Sequence, residues 1–191
     1  MKKMKALVVA LATAVLAGCV VTSVSPFYTE KDLVFEPGLV GDWLKQVKDS
    51  QPQVWKLEKS GELAYRFTLI DESKATVMEA HAFRLRGQLF LDVFSTEQAI
   101  EVIPPHYLLR ITKLTSTSLQ LTQLDNEWLK KLLADKPTAL AHHLVGKKPD
   151  DLRVVLTADT LALQEFIIVH MTTEGAWKDR LELQRAKAFP D

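Results

Sequence analysis

From residue 39 to residue 124 the chain consists of short runs in which apolar and polar residues alternate, separated by turn residues. Alternation with a period of two is typical of strands that bury one face. The clearest run is Glu62–Asp71, where every second residue from Leu63 to Leu69 is apolar. We therefore predict strands over Leu39–Lys48, Gln53–Lys59, Glu62–Asp71, Ala75–Arg86, Gln88–Ser95, His106–Thr115 and Ser118–Leu124.

Beyond residue 125 the apolar residues recur at the spacing of helices. Asp125 can cap one helix and Pro137 favours the start of a second, so we predict a helical insert at about 126–145. Asp159 can cap a further helix at about 160–170. Renewed alternation predicts two more strands, over Arg153–Ala158 and Arg180–Arg185.

About eight strands in sequence order, with helices inserted late in the chain, indicate a mainly β (α+β) fold. A long antiparallel meander exposes two unpaired edges, and curling it into a barrel removes them. Beyond residue 38 we find no linker that would divide the chain, so residues 39–191 are expected to form one domain. An eight-stranded barrel can hold one small ligand or fill itself with side chains, and the pattern leaves both alternatives open.

Composition narrows the classes of function. The chain has 24 basic and 24 acidic side chains, so no broad basic surface indicates nucleic-acid binding. It has only 7 glycines and contains no phosphate-binding glycine loop and no catalytic signature of the common hydrolase classes. His142 and His143 are adjacent, which is poor geometry for a metal pair on a helix. We predict no enzyme activity, no cofactor, no metal site and no nucleic-acid partner.

The first 18 residues have the features of a signal peptide. Met1–Lys5 is basic, and Ala6–Leu16 is an apolar run of about 11 residues, whereas a helix needs roughly 20 to span a bilayer. Removing residues 1–18 leaves 21 basic and 24 acidic side chains, a net charge near −3.

The next feature is the single cysteine of the chain. The sequence Leu-Ala-Gly-Cys at residues 16–19 resembles the lipobox of bacterial lipoproteins. This resemblance implies cleavage between Gly18 and Cys19, a diacylglyceryl thioether on Cys19, and acylation of the new amino terminus with a fatty acid such as palmitate. The alternatives are that Cys19 is a small buried residue at the start of a transmembrane segment, or that it ends an ordinary secretory leader.

Location also follows from the lipoprotein resemblance. Val20, rather than Asp, after the cysteine implies the outer membrane, at its periplasmic face, in preference to the inner membrane. Residues 19–38 contain two prolines and two serines, and we predict that they form a lipidated flexible tether with a reach of at most roughly 60 Å.

Gly41-Asp42-Trp43 resembles the G-x-W signature of lipocalins and related calycin barrels. The resemblance implies that Gly41 permits close backbone approach and that Trp43 plugs the closed end of the barrel against a late arginine, Arg180 or Arg185. The alternative is a core tryptophan after a turn. Longer stretches at residues 28–44, 87–94 and 124–133 resemble an uncharacterised group of bacterial proteins, often lipoproteins, which implies no catalytic residues.

Two sets of residues are candidates for a site. Glu79 and His81 stand two residues apart on one strand, next to an apolar row, and we expect them to face outward. For His106 and Arg110 the pattern likewise leaves open whether the side chains face into the barrel or outward. The aromatic residues of the second and third strands could line a pocket with the first pair, which gives the candidate set Trp55, Tyr65, Phe67, Glu79 and His81.

Three functions remain open from the sequence. The first is a lipid-anchored, lipocalin-like module that binds a small apolar molecule or a lipid inside the barrel. The second is a non-enzymatic accessory or inhibitory protein of the cell envelope, with a barrel filled by side chains and an envelope protein as partner. The third, less favoured, is a hydrolase with a site around Glu79, His81 and His106.

Overall fold

The structure is a computed structural model that describes residues 20–48, 50–72, 74–96, 103–148 and 151–186. The predicted signal peptide, residues 1–18, and the predicted lipidation site Cys19 lie outside the described residues. Within them, the chain forms eleven strands, two α-helices and two short 3-10 helices, Glu30–Asp32 and Pro37–Leu39. The strands are β1 (Thr22–Ser23), β2 (Gly41–Lys45), β3 (Gln53–Lys59), β4 (Ala64–Asp71), β5 (Lys74–Leu85), β6 (Gln88–Ser95), β7 (His106–Leu114), β8 (Ser118–Leu124), β9 (His142–Val145), β10 (Arg153–Leu156) and β11 (Trp177–Arg185), and the helices are α1 (Asn126–Asp135) and α2 (Thr160–His170).

Eight of the strands form a closed antiparallel barrel. Each strand from β2 to β8 pairs with the next strand in the sequence. β11 pairs with both β2 and β8 and so closes the barrel. The pairing of β6 with β7 continues the barrel wall across the long connection between these strands. The predicted barrel is therefore confirmed, and closure leaves the wall without a free edge.

A side sheet extends from the barrel where β7 begins. β1 pairs antiparallel with β7 and parallel with β10, and β10 pairs antiparallel with β9. Neither β1 nor β9 is predicted from the sequence pattern, since β1 has only two residues and β9 depends on β10 for its hydrogen bonds.

The predicted helical insert at 126–145 is only half correct. Helix α1 ends at Asp135, and the predicted second helix from Pro137 to Leu144 is wrong. Pro137 begins a turn in which the amide of Ala139 donates to the carbonyl of Lys136, and the residues that follow enter β9. Sheet pairing with β10 outweighs the weak helical pattern of this segment.

Two apolar cores lie on the two sides of the barrel wall. The inner core fills the barrel and consists of Leu39, Trp43, Trp55, Leu57, Tyr65, Phe67, Leu69, Met78, Ala80, Ala82, Leu89, Leu91, Val93, Leu109, Ile111, Leu119, Leu121 and Leu183. The outer core lies between the wall, the side sheet and the helices, and includes Val21, Phe27, Phe83, Phe90, Leu129, Val154, Leu163 and Ile167. Asp125 and Asp159 cap the helices by accepting from Trp128 and Ala162 backbone amides.

The segment from Val20 to Gly38 is folded against the barrel, so the predicted flexible tether is wrong for these residues. Val21, Ser23 and Phe27 are buried, with Phe27 only 1% exposed. The backbone amide of Val34 donates to the carbonyl of Ala82 on β5. Between the prolines, Phe27 and Leu33 pack in the outer core, whereas Val34 and Phe35 pack against the inner core. Burying these residues offsets the entropy lost by ordering the segment.

Candidate functional site

Arg185 closes one end of the barrel. Its guanidinium lies 4.1 Å from the centre of the Trp43 ring and donates to the carbonyls of Val40 and Gly38 at 2.7 and 2.6 Å. The indole of Trp43 donates to the carbonyl of Leu39 at 2.9 Å. Of the two arginines considered from the sequence, Arg185 is therefore the one that contacts Trp43, whose side chain is buried in the inner core.

Gly41 makes the approach of this arginine possible. Its φ is +136°, a value that side-chain-bearing residues rarely adopt, and a Cβ atom here would collide with Nη1 of Arg185. The other candidate, Arg180, lies on an exposed part of β11, where it donates to Gln120 and pairs with Glu182.

The aromatic members of the candidate pocket lie inside the barrel, separate from the polar members. Trp55, Tyr65 and Phe67 are buried in the inner core, and the Tyr65 hydroxyl bonds with the backbone amide and carbonyl of Glu36. Glu79 and His81 point to the outside of the wall, as we expected, because Met78, Ala80 and Ala82 occupy the inner face of β5. The five residues therefore do not form one site.

The interior of the barrel is filled by side chains. A cavity large enough for a water molecule would leave accessible area on the side chains that line it. Trp43, Tyr65, Ala80, Leu121 and Leu183, which come from strands around the barrel, are all 0% exposed, and no member of the inner core is more than 7% exposed. Among the described residues, Nε1 of Trp55 has no hydrogen-bond partner. The ring of Trp55 is nevertheless only 2% exposed, so neighbouring side chains rather than open space adjoin it.

A polar cluster lies on the outer face of the wall, where β5, β6 and β7 pair. His81 stands opposite Asp92 on β6, and Phe94 stands between Glu79 on one side and His106 on the other. His81 Nε2 is 2.7 Å from a carboxylate oxygen of Glu79, and His106 Nδ1 is 2.8 Å from one of Asp92. The structure thus brings together the three residues of the hydrolase hypothesis.

Asp92 is the member of this cluster that sequence reasoning missed. Its carboxylate is fully buried, and its second oxygen accepts the backbone amide of Phe27 at 2.8 Å. A hairpin with Arg86 and Gly87 as its two turn residues pairs Leu85 with Gln88, and this register places His81 opposite Asp92. The turn in the sequence was therefore a signal that could have found Asp92.

Tyr28 covers the cluster from the N-terminal segment. Its ring stacks on His81 with 4.8 Å between the ring centres, and Phe94 stacks on the other side of His81 at 5.9 Å. Burial raises the pKa of Tyr28 to about 12, and the nearby carboxylates of Asp92 and Glu79 add to the increase. The hydroxyl of Tyr28 is therefore neutral at physiological pH.

The contacts of the cluster favour a structural role. A carboxylate bonded to a histidine can orient an imidazole for acid–base catalysis. Here the other carboxylate oxygen holds a backbone amide of the N-terminal segment. Helix α2 fastens the same segment, because Gln164 donates to the Phe27 carbonyl and Thr160 to the Pro26 carbonyl. We interpret Asp92, His106 and these contacts as a latch that holds residues 20–38 on the barrel.

The surface offers open grooves rather than an enclosed pocket at the helices. A groove of about 570 Å³ runs between α2 and the residues that precede β9, and Phe166 and Val169 are part of its lining. Leu161 and Val169 are 65% and 69% exposed on α2. By contrast, Leu129 and Leu133 of α1 are buried, so the apolar stripe of α1 faces the outer core.

Comparison with known protein families, with curated proteins and with solved structures finds no match to this chain. Among the described residues, no cluster of histidine, cysteine and carboxylate side chains has the geometry to hold a metal ion. Neither described helix has the length and apolar content that crossing a membrane requires.

Proposed function

We propose that this protein is a lipoprotein of the bacterial cell envelope, acylated at Cys19, that acts as a non-enzymatic accessory or inhibitory protein through its outer surface. The single observation that carries this proposal is the filled interior of the barrel. A carrier of the lipocalin type needs an internal cavity of about 300 Å³ or more for a drug-sized apolar ligand. The fully buried side chains of the inner core occupy that space here, so the interaction-protein hypothesis is favoured over the carrier hypothesis.

The lipid anchor is supported by the sequence of the leader. The basic start, the short apolar run and the Leu-Ala-Gly-Cys motif agree on one processing route. Two or three acyl chains hold a protein on a membrane effectively permanently, whereas one chain binds only marginally. Anchoring keeps the protein close to envelope partners and raises its effective concentration there.

The exposed apolar residues of α2 are the surface that we expect a protein partner to contact. A helix with apolar residues on most of its sides usually packs against other protein surfaces on most of those sides. Leu161 and Val169 lie eight residues apart, on the face of α2 that points away from the outer core. Glu165, halfway between them, is also exposed and gives the face one charge.

Photo-crosslinking in intact cells tests the interaction. A benzoylphenylalanine at position 161 or 169 should give one discrete adduct with a second protein. A matched probe at Glu58, whose side chain is 46% exposed on β3 of the barrel, should give none. Adducts of the same pattern from all three positions would contradict a specific partner surface.

Anchoring is tested separately by substitution. Cys19→Ala should accumulate as unprocessed precursor, because the thiol that receives the lipid is missing. Ser25→Ala, six residues downstream, should be processed and found in the membrane fraction as the parent protein is. Normal cleavage and membrane retention of Cys19→Ala would refute lipid anchoring.

A further inference from the structure

The side sheet has two faces of different character. Val21, Val154 and Leu156 point into the outer core and are almost completely buried. The alternate residues point the other way, where Val20, Thr22 and Val155 lie side by side. With their neighbours they line a depression of about 200 Å³, whose walls are Val20, Thr22, Pro105, Tyr107, Val145, Arg153 and Val155.

Large apolar side chains are exposed around this depression. Val145 of β9 is 56% exposed, and Ile103, two residues before Pro105, is 70% exposed. These are two of the seven large apolar residues exposed in the described part of the chain. Exposed apolar residues that cluster, rather than lie scattered, mark contact surfaces.

The same end of the side sheet is where the chain arrives from Cys19. Val20 already belongs to the fold, because it forms a bridge with Asp125 and its side chain helps to line the depression. Cys19 directly precedes Val20 in the sequence. No flexible tether therefore separates a lipid on Cys19 from this surface.

Basic residues border the apolar surface. Arg153 lies beside Val145 and Val20, and Lys147 and Lys148 follow β9 at the end of the sheet where Val20 begins. Asp151 is also present there and accepts the backbone amide of Lys148. Arginine and lysine side chains next to apolar groups suit the phosphate layer above the acyl chains of a bilayer.

We propose that this face of the side sheet lies on the phospholipid bilayer and fixes the orientation of the protein on the membrane. The inference rests on the acylation of Cys19 proposed above. Val145, Val155 and Tyr107 then reach the boundary between headgroups and acyl chains, and Arg153 contacts the phosphates. The exposed face of α2 lies on the far side of the outer core, turned away from the membrane.

Fluorescence quenching tests this orientation in the full-length acylated protein. Val145→Cys is labelled with an environment-sensitive maleimide dye, and Leu161→Cys on α2 is the matched control. The protein without an added cysteine gives the background of the labelling, since a lipidated Cys19 has no free thiol. Each protein is placed in phosphatidylethanolamine–phosphatidylglycerol vesicles containing a phosphatidylcholine with a doxyl group near the headgroup end of one chain.

We expect the dye at position 145 to be quenched about threefold more strongly than the dye at 161, since interfacial groups lie roughly 5–10 Å into the boundary. Equal quenching at the two positions, in protein whose intact mass includes the acyl groups, would overturn the orientation alone. An intact mass without acyl groups would overturn both the orientation and the proposed anchoring. His143→Cys, exposed on the same face of β9 as Val145, should repeat the result for position 145.

Discussion

Arg185 contacts three parts of the chain at one end of the barrel. It stacks on Trp43 of β2, and it donates to the carbonyls of Gly38 and Val40 before β2 and to the carbonyl of Ser116 between β7 and β8. Charge-assisted bonds to carbonyls are stronger than neutral ones. One side chain thereby fixes the segment before β2 and the turn between β7 and β8 in relation to Trp43.

Gly41→Ala should destabilise the protein by about 3 kcal/mol, because the new methyl group displaces Arg185 as well as straining the backbone. Gly61→Ala is the matched control. Gly61 also has a positive φ, of +84°, but nothing lies within 4 Å of the position of its Cβ. We expect a cost of about 1 kcal/mol there. Equal shifts of the thermal unfolding midpoint in the two variants would show that Arg185 adds nothing to the requirement for glycine.

The raised pKa of Tyr28 predicts a dependence of stability on pH. The folded protein holds the phenol proton up to a pKa of about 12, against an ordinary value of 10.0. Above pH 10 the unfolded chain releases this proton first, so stability falls as pH rises from about 10 to 12. Tyr28→Phe should lose less stability than the parent between pH 9 and pH 11 in urea unfolding. An identical loss in both proteins would mean that Tyr28 titrates normally.

At the scale of elements, we expect the latch to keep residues 20–38 folded on the barrel. Asp92→Ala removes the acceptor of the Phe27 amide and the partner of His106. A hydrogen bond to a buried charged group contributes about 1.5–3 kcal/mol. Its loss should raise hydrogen exchange of residues 20–36 by roughly a hundredfold.

Asp42→Ala is the control for the latch, since Asp42 is an exposed carboxylate on β2. It should leave the exchange of residues 20–36 unchanged. If Asp92→Ala gives the same exchange in this segment as Asp42→Ala, the latch interpretation fails.

The elements that sequence reasoning predicted well are those with regular alternation. The observed bounds of β3 and β8, in which alternate residues are buried, coincide with the predicted ones. The bounds of β6 also coincide, although β6 is buried on both faces. The residues before β2 were misjudged, since prolines and serines are common in loops whether or not these are packed. Packing of Phe27 and Val21 depends on a surface formed by distant elements, which composition does not reveal.

The candidate site was also predicted only in part from the sequence. Glu79, His81 and His106 were recognised as polar residues on strands, because a period of two assigns each residue to a face. Their assembly depends on the register of two strand pairs and on Asp92. The separation of Trp55 from Glu79 follows from the closure of the wall, which places one face of every strand inside.

At the scale of the whole molecule, a continuous series of hydrogen bonds connects Val20 to the barrel. Val20 begins the side sheet, β1 joins it to β7, and the latch fastens the next residues to β6. An acylated Cys19 would therefore hold the domain directly on the membrane. With a filled interior, the surfaces left for recognition are outer ones, and the exposed face of α2 carries two large apolar residues, Leu161 and Val169.

Native mass spectrometry of the protein extracted from membranes in mild detergent measures directly whether the barrel carries a ligand. We predict the mass of the chain from Cys19 with its acyl groups, either alone or with a second protein, and no small molecule released on denaturation. A stoichiometric apolar molecule that leaves only when the protein unfolds would contradict a barrel filled by its own side chains.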